Sequence, residues 1–306
     1  MDREAQGVVP RLERVMAIME TSATTRLAEL LARPRYEVLP LDGVVEQVLA
    51  HVPRDVKMTV TASPRRGLDH TLDVAERLSG HGYEVAPHVS ARLVAGHAHL
   101  EEIVARLGER GIRDVFVVAG DAEQPAGAYD GAAPLLEAMA ELGHPFDDIG
   151  ITGYPESHPL ISDETTIQAM FAKARFATYI VSQICFDSRV TVGWMNEVWR
   201  RGTPLPIHVG IPGAVPRAKL LRVSGKIGLG ESARFLRGHS TWLPRMLRPA
   251  GFSPDPLIAG LEPALADPEP KLAGLHVFTF NDLVDTERWR RARLQRLASG
   301  ASATEL

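Results

Sequence analysis

The 306-residue sequence is poor in several signals, and each gap narrows what the chain does. It has one cysteine, Cys185, so an intrachain disulfide framework is impossible and a cysteine-based zinc site is not expected. So little cysteine suits a reducing compartment. No apolar run approaches the ~18 residues of a membrane span. Excess positive charge is missing too: 34 Lys and Arg stand against 38 Asp and Glu, a net charge of −4. That balance gives no bulk attraction to nucleic acid or to an anionic membrane. The stretch Met1–Glu20 carries Asp2, Glu4, Arg11, Glu13 and Arg14 and has no apolar core before a small-residue cleavage site. A secretory leader is therefore not expected, and the cytoplasm is the expected location. There is no HExxH, no G-x-S-x-G elbow and no Walker loop. His97 and His99 are two apart and do not share a helix face, so no metal site is expected.

What remains is an ordinary globular composition, 45% hydrophobic and 24% charged, in a chain long enough to bury a large core without staples. Its dominant pattern is a short apolar run followed by a longer amphipathic stretch. The runs Arg35–Leu39, Val56–Thr61, Glu84–His88, Asp114–Val118, Ile149–Gly153, Tyr179–Gln183, Pro206–Gly210 and Leu275–Thr279 are apolar or β-branched, as in strands covered on both faces. Helical stretches include Leu68–Ser79, His97–Glu109, Ala132–Leu142, Thr165–Ala174 and Val190–Arg200. Eight such units predict an α/β fold, a single (β/α)8 TIM barrel, with an open doubly wound sheet as the alternative. No GxGxxG follows the first run, which weakens the dinucleotide-binding form of that alternative.

The expected organisation is an N-terminal helical extension over 1–34, a barrel over 35–298 and a frayed tail over 299–306. The extension reads as a helix, Arg11–Leu31, broken near Thr21–Thr25. Residues 223–270 are too long for one helix and are interrupted by Gly225, Gly228, Gly230, Pro254, Pro256, Pro263, Pro268 and Pro270.

Barrels of this kind build their sites at the strand C-terminal ends, so polar residues there are the candidates. Glu37 lies inside the apolar run Tyr36-Glu37-Val38-Leu39-Pro40. A carboxylate there is costly unless it is paired or serves a site, and burial of such a group suits proton donation. Thr61 opens the small basic loop Ala62-Ser63-Pro64-Arg65-Arg66-Gly67, which reads either as a phosphate cradle or as a solvated turn. His88 ends the third run, either as a ligand contact or as a structural histidine. Gly120-Asp121 follows the fourth, the glycine permitting close approach of the backbone to a ligand. The loop Gly153-Tyr154-Pro155-Glu156-Ser157-His158-Pro159 packs an aromatic, an acid and a histidine between two prolines and reads as a binding loop. Gln183 follows an apolar run and needs a partner if buried. Cys185 reads as a small buried hydrophobe and Asp187 as a helix N-cap.

In order and spacing these pieces resemble the methylenetetrahydrofolate reductase family over roughly residues 35–290. The resemblance is carried by Tyr36-Glu37-Val38-Leu39-Pro40, Val60-Thr61, Ala86-Pro87-His88, Gly120-Asp121, the Tyr154–Pro159 loop, Ser182-Gln183-Ile184-Cys185-Phe186-Asp187, Gly210-Ile211-Pro212 and His276-Val277-Phe278-Thr279-Phe280-Asn281. It implies a barrel that binds FAD at the strand ends and is reduced by NADH or NADPH. It further implies that hydride passes from the flavin to methylenetetrahydrofolate, giving 5-methyltetrahydrofolate, within one-carbon metabolism and methionine biosynthesis. By the same resemblance Glu37 protonates the folate nitrogen, so that an electrophilic iminium forms. Asp121 lies near flavin and pterin, and Gln183 and Phe278 lie on the folate side. Thr61, His88, Gly120, Tyr154, His158 and Lys173 fall at flavin-contacting positions.

The departures fall mainly on the flavin side. Relatives commonly read Phe-Glu-Phe-Phe-Pro-Pro on strand one, tyrosine and glycine where Ala62 and Ser63 stand, and arginine at Ala119. On the helix that ends near Lys173, Thr166 and Ala169 stand where polar partners belong. This pattern leaves open a flavin-independent transfer of hydride from nicotinamide to folate on the same barrel. A tetrahydrofolate-dependent methyltransferase or demethylase is a further alternative. A binding-only regulatory subunit is argued against by Glu37. Residues 1–34 and 223–270 are candidates for a lid or for the interface of a homo-oligomer.

Overall fold

The computed structural model describes residues 23–155, 163–185, 187–215, 253–265 and 271–299. Eight parallel strands close into a barrel in chain order: β1 Arg35–Val38, β2 Lys57–Val60, β3 Val85–Ser90, β4 Asp114–Val118, β5 Asp148–Gly153, β6 Tyr179–Ser182, β7 Ile207–Pro212 and β8 Leu272–Phe278. The closed sheet decides between the two expected architectures in favour of the (β/α)8 barrel. Helix α1, residues 23–32, precedes β1. The helices that follow are α2 Val44–His51, α3 Gly67–Gly80, α4 His97–Glu109, α5 Ala132–Leu142, α6 Asp163–Ala174, α7 Ser188–Arg200, α8 Asp255–Leu265 and α9 Leu283–Ala298.

The main core lies between the strands and the helices. On β1 the side chains alternate: Tyr36 and Val38 are fully buried toward the helices, while Glu37 faces the barrel interior. Tyr36 Oη donates to Glu287 Oε2 on α9 at 3.0 Å, and Arg290 closes on the same carboxylate at 2.7 Å. Helix α3 buries Leu68, Leu72, Val74, Ala75 and Leu78, and each large aliphatic contributes about 2 kcal/mol by leaving water. Helix ends are closed by side chains, one local and one from a distant loop. Asp187 Oδ1 accepts from Arg189 N at 2.9 Å, as its N-cap reading required, and Tyr83 Oη donates to Val52 O at 2.7 Å beyond the end of α2.

Beyond shifts of one or two residues at element ends, the observed elements depart from the expected ones in three places. Residues 23–25 are already helical, so no break falls there, and the rest of the expected Arg11–Leu31 helix lies outside the described residues. Helix α8 forms inside the stretch that its prolines seemed to forbid. Pro254 precedes that helix and Pro256 sits in its first turn, where a missing N–H costs nothing. Strand β8 begins at Leu272, three residues earlier than expected, and stops before Thr279. Thr279 Oγ1 instead donates to Glu37 O at 2.6 Å, and the Asn281 amide brackets Leu39, accepting from its N–H at 2.8 Å and donating to its carbonyl at 2.9 Å. Strand one is thereby held by side chains at Glu37 and just beyond it.

Candidate active site

The barrel interior is polar where many such barrels hold layers of branched aliphatics. At its N-terminal end Asp114 accepts from Arg35 at 3.0 Å, from Lys57 at 2.7 Å and from Tyr179 Oη at 2.7 Å. The Arg35 guanidinium also stacks 4.1 Å over the Tyr179 ring. Burial raises the Tyr179 phenol well above its ordinary range, so it stays protonated as a donor.

Above this floor lie Glu37 and three aromatic rings. His276 Nε2 stands 3.1 Å from Glu37 Oε2, and His88 Nε2 stands 3.7 Å from the same oxygen. The Glu37 side chain is 16% exposed, so the carboxyl is reachable from the mouth, whereas His276 is 1% exposed. Phe116 fills the space beside both imidazoles, with ring centroids 4.7 Å from His88 and 6.5 Å from His276. The Glu37 carboxyl thus faces two imidazoles, and not the plain apolar wall its neighbours in sequence suggest. Burial pushes His88 down to about 4, against the pull of Glu37, so this imidazole is neutral at pH 7. Its Nε2 is buried and has no hydrogen-bond partner among the described residues.

Most of the other candidates lie at or just past the strand C-terminal ends, whereas Lys173 sits in the last turn of α6, which leads into the start of β6. Thr61 N extends the ladder to Val38 O at 3.0 Å, and its buried Oγ1 is without a partner among the described residues. Gly120 takes φ +89°, and a Cβ there would lie 1.8 Å from Ser90 Oγ, so only glycine fits. Exposed Asp121 follows it. Burial raises the Tyr154 phenol, against a hydrogen bond with Thr152 and with Asp121 adding to the rise. Gln183 is half-buried; its Oε1 accepts from Ile184 N at 2.8 Å. Phe278 ends β8 with its ring edge-on to His276 at 4.9 Å. Lys173, on the buried side of α6 with Met170, has no acidic partner among the described residues, and burial pulls it down to about 8. His158 lies outside the described residues. Cys185 is a buried thiol that donates to Asp187 O at 3.2 Å, consistent with its packing role. Among the described residues no group of acids, histidines and cysteine is placed to hold a metal ion, and no helix is long and apolar enough to cross a membrane.

Sequence reasoning gave no role to His276, His208 or Phe116. The available signal was alternation: Gly274, His276 and Phe278 share one face of β8, as His208 and Gly210 share one face of β7. Alternation alone does not say which strands are neighbours, and barrel closure supplies that.

Residues 41–223 match the family model for methylenetetrahydrofolate reductase. A 5,10-methylenetetrahydrofolate reductase of Pectobacterium carotovorum subsp. carotovorum is 33% identical over 181 residues, covering 56% of this chain and 57% of that protein. The chain thus spans a little over half the length of that relative. Among solved structures, a putative lyase/mutase from Burkholderia cenocepacia J2315 superposes with a TM-score of 0.44 at 15% identity, over 91% of this chain and 87% of the other. Dihydropteroate synthase from Thermus thermophilus, in complex with 6HMPPP, gives 0.42 at 13% identity, over 88% and 94%.

Proposed function

The chain belongs to the methylenetetrahydrofolate reductase family, and from that premise we propose that it reduces 5,10-methylenetetrahydrofolate to 5-methyltetrahydrofolate with NADH or NADPH as the electron source. The observation that carries the reading is the Glu37 carboxyl held at the base of the mouth by His276. Opening the methylene bridge of the folate requires a proton on a ring nitrogen before hydride adds to the carbon. On this reading Glu37 is the acid that gives it. A cationic imidazole 3.7 Å away would favour the charged carboxylate and oppose that task. His88 is kept neutral by burial and does not. Once Glu37 has given up its proton, His276 and His88 present ring nitrogens to the oxygen that carries the new charge. The Gln183 amide and the Phe278 ring offer the pterin a polar edge and an apolar wall.

FAD is the carrier that the family resemblance implies. Buried Thr61 Oγ1 and buried His88 Nε2, both without a hydrogen-bond partner among the described residues, fit a polar group at the mouth. Thr61, His88, Gly120, Asp121, Tyr154 and Lys173 would hold it, with His158 from outside the described residues. When bound it would supply a two-electron carrier between nicotinamide and folate. A second reading, direct transfer from nicotinamide to folate, is favoured by one feature. Exposed Ala119 stands where relatives commonly carry arginine, which would leave a bound flavin one cation fewer.

The test is nicotinamide oxidation by the purified full chain on adding methylenetetrahydrofolate, with the visible spectrum recorded before and after FAD addition and removal of the excess. A retained flavin spectrum that bleaches with NADH or NADPH and returns with the folate supports the carrier route. Folate-dependent nicotinamide oxidation with no retained flavin supports direct transfer. No nicotinamide oxidation overturns the reductase reading and leaves methyl transfer.

A further inference from the structure

We propose that Arg92 is a positioning residue for folate reduction: it fixes the loop after β4 and so presents Asp121 to the substrate. This rests on the folate-reductase reading above, in which Asp121 stands beside the bound pterin. It deepens that reading by naming the residue that sets the loop.

The loop has little else to hold it. Residues 119–131 join β4 to α5 without helix or strand, and Tyr129 is the one buried residue among them. The rest are glycines, alanines, one proline and polar residues, which supply no second large apolar anchor. Such a stretch gives up much chain entropy when it is held in one shape, so its hydrogen bonds decide whether it is held.

Arg92 supplies them from the neighbouring strand. Strand β3 pairs with β4 as far as Ser90 and Val118, and the short turn Ala91–Leu93 that follows β3 carries Arg92 against the loop. Arg92 N donates to Ala119 O at 3.0 Å, and Arg92 O accepts from Ala126 N at 2.9 Å. The guanidinium closes the rest. Its Nε donates to Ala122 O at 2.7 Å, Nη2 to Glu123 O at 2.8 Å and Nη1 to Asp130 O at 3.1 Å. Ala119 and Ala122 flank Gly120 and Asp121, so one residue grips the chain on both sides of that pair. Asp130 lies at the far end of the loop, so the same fork ties its return to its start.

All these partners are main-chain atoms, so Arg92 shapes the loop without engaging its side chains. A charged donor binds a carbonyl more strongly than a neutral one. The planar fork also aims its donors in fixed directions, which a lysine ammonium does not. Next to Asp121 there is no slack: Ser90 Oγ fills the space of the side chain Gly120 lacks and donates to Ala119 O at 3.4 Å. The direction in which Asp121 leaves the chain therefore follows from the two carbonyls that Arg92 holds.

The experiment measures folate-dependent nicotinamide oxidation by the full-length wild type, Arg92→Met, Arg92→Lys, Asp121→Asn and the double variant Arg92→Met with Asp121→Asn. FAD is present if the wild type retains it, and circular dichroism checks folding. Arg92→Met should lower kcat/KM for the folate about tenfold or more, since a misplacement of about 1 Å costs up to ~10²-fold. The loss should fall mainly on the KM for the folate, because Glu37 lies on β1 and keeps its contacts. On the Asp121→Asn background the same change should cost less than about twofold further, because residues acting through one contact do not add. Arg92→Lys keeps the charge and loses the fork; it should share most of the loss, and it carries the test if Arg92→Met does not fold. Folded arginine variants with wild-type kinetics overturn the proposal. So do losses that multiply in the double variant, which would show that Arg92 acts on something other than Asp121. A wild type that never oxidises nicotinamide on adding the folate overturns the reductase reading, and this role with it.

Discussion

Asp114→Asn isolates the charge at the floor of the barrel while keeping the size and hydrogen-bonding capacity of the side chain. In the wild type Asp114 answers two cations and a phenol, with its side chain 5% exposed and that of Arg35 9% exposed. An amide still accepts from one cation and donates to Tyr179 Oη, so the hydrogen bonds largely survive. The counter-charge does not. Lys57 has a second acid, Glu84 at 3.6 Å, and escapes most of the cost. Arg35 is left as a buried cation. Breaking a buried pair by removing one partner costs roughly 3–5 kcal/mol, and the escape of Lys57 places this case near 3 kcal/mol. For a chain of this length that lowers the melting temperature by about 5 °C. Urea denaturation and a thermal melt followed by circular dichroism read both quantities. A loss below about 1 kcal/mol, the value of an exposed pair, would refute the argument that this network is buried and mutually dependent. The double variant Arg35→Met with Asp114→Leu removes both charges and should recover most of the loss, since apolar replacements of buried pairs are often neutral.

Two further substitutions test a buried cation and the loop after β4. Lys173 is charged at pH 7 in a setting that pulls it from its ordinary 10.5 to about 8, so Lys173→Met should stabilise the ligand-free protein at pH 7 by up to about 3 kcal/mol. The wild type loses that handicap as pH rises from 8 to 10.5, because there the unfolded chain binds more protons than the folded one; denaturation midpoints should converge across that window, and a variant no more stable at pH 7 would contradict the account. Gly120→Ala combines a left-handed φ with a Cβ 1.8 Å from Ser90 Oγ, which displaces the loop bearing Asp121. It should raise the KM for folate with the fold intact by circular dichroism, and an unchanged KM would remove Asp121 from the site.

Much of the barrel is legible in the sequence because a strand covered on both faces must be apolar throughout. Strand β4 and helices α4 and α5 have the bounds their patterns predict. Legibility fails where a residue has a second duty. Leu272–Gly274 reads weakly as a strand because Gly274 gives up its side chain to make room for His208. Thr279 reads as strand, yet its hydroxyl is committed to Glu37 O. Helix α8 is obscured because Pro254 and Pro256 look like breakers until the helix start is placed between them. In the site, Glu37 stands out as a carboxylate in an apolar run. Its partner His276 and the more distant His208 do not, since each is one polar residue on an inward face. Their significance comes from the closure of β8 onto β1, which joins residues 239 apart in the chain.

The central claim is that Glu37 delivers the proton that makes the folate reducible. The direct measurement is methylenetetrahydrofolate-dependent oxidation of the nicotinamide nucleotide by the wild type and by Glu37→Gln under identical conditions. Loss of a positioned acid predicts a fall in kcat of about 10²–10⁴-fold, with the KM for the nicotinamide nucleotide unchanged. A Glu37→Gln protein that reduces the folate at the wild-type rate would contradict the account.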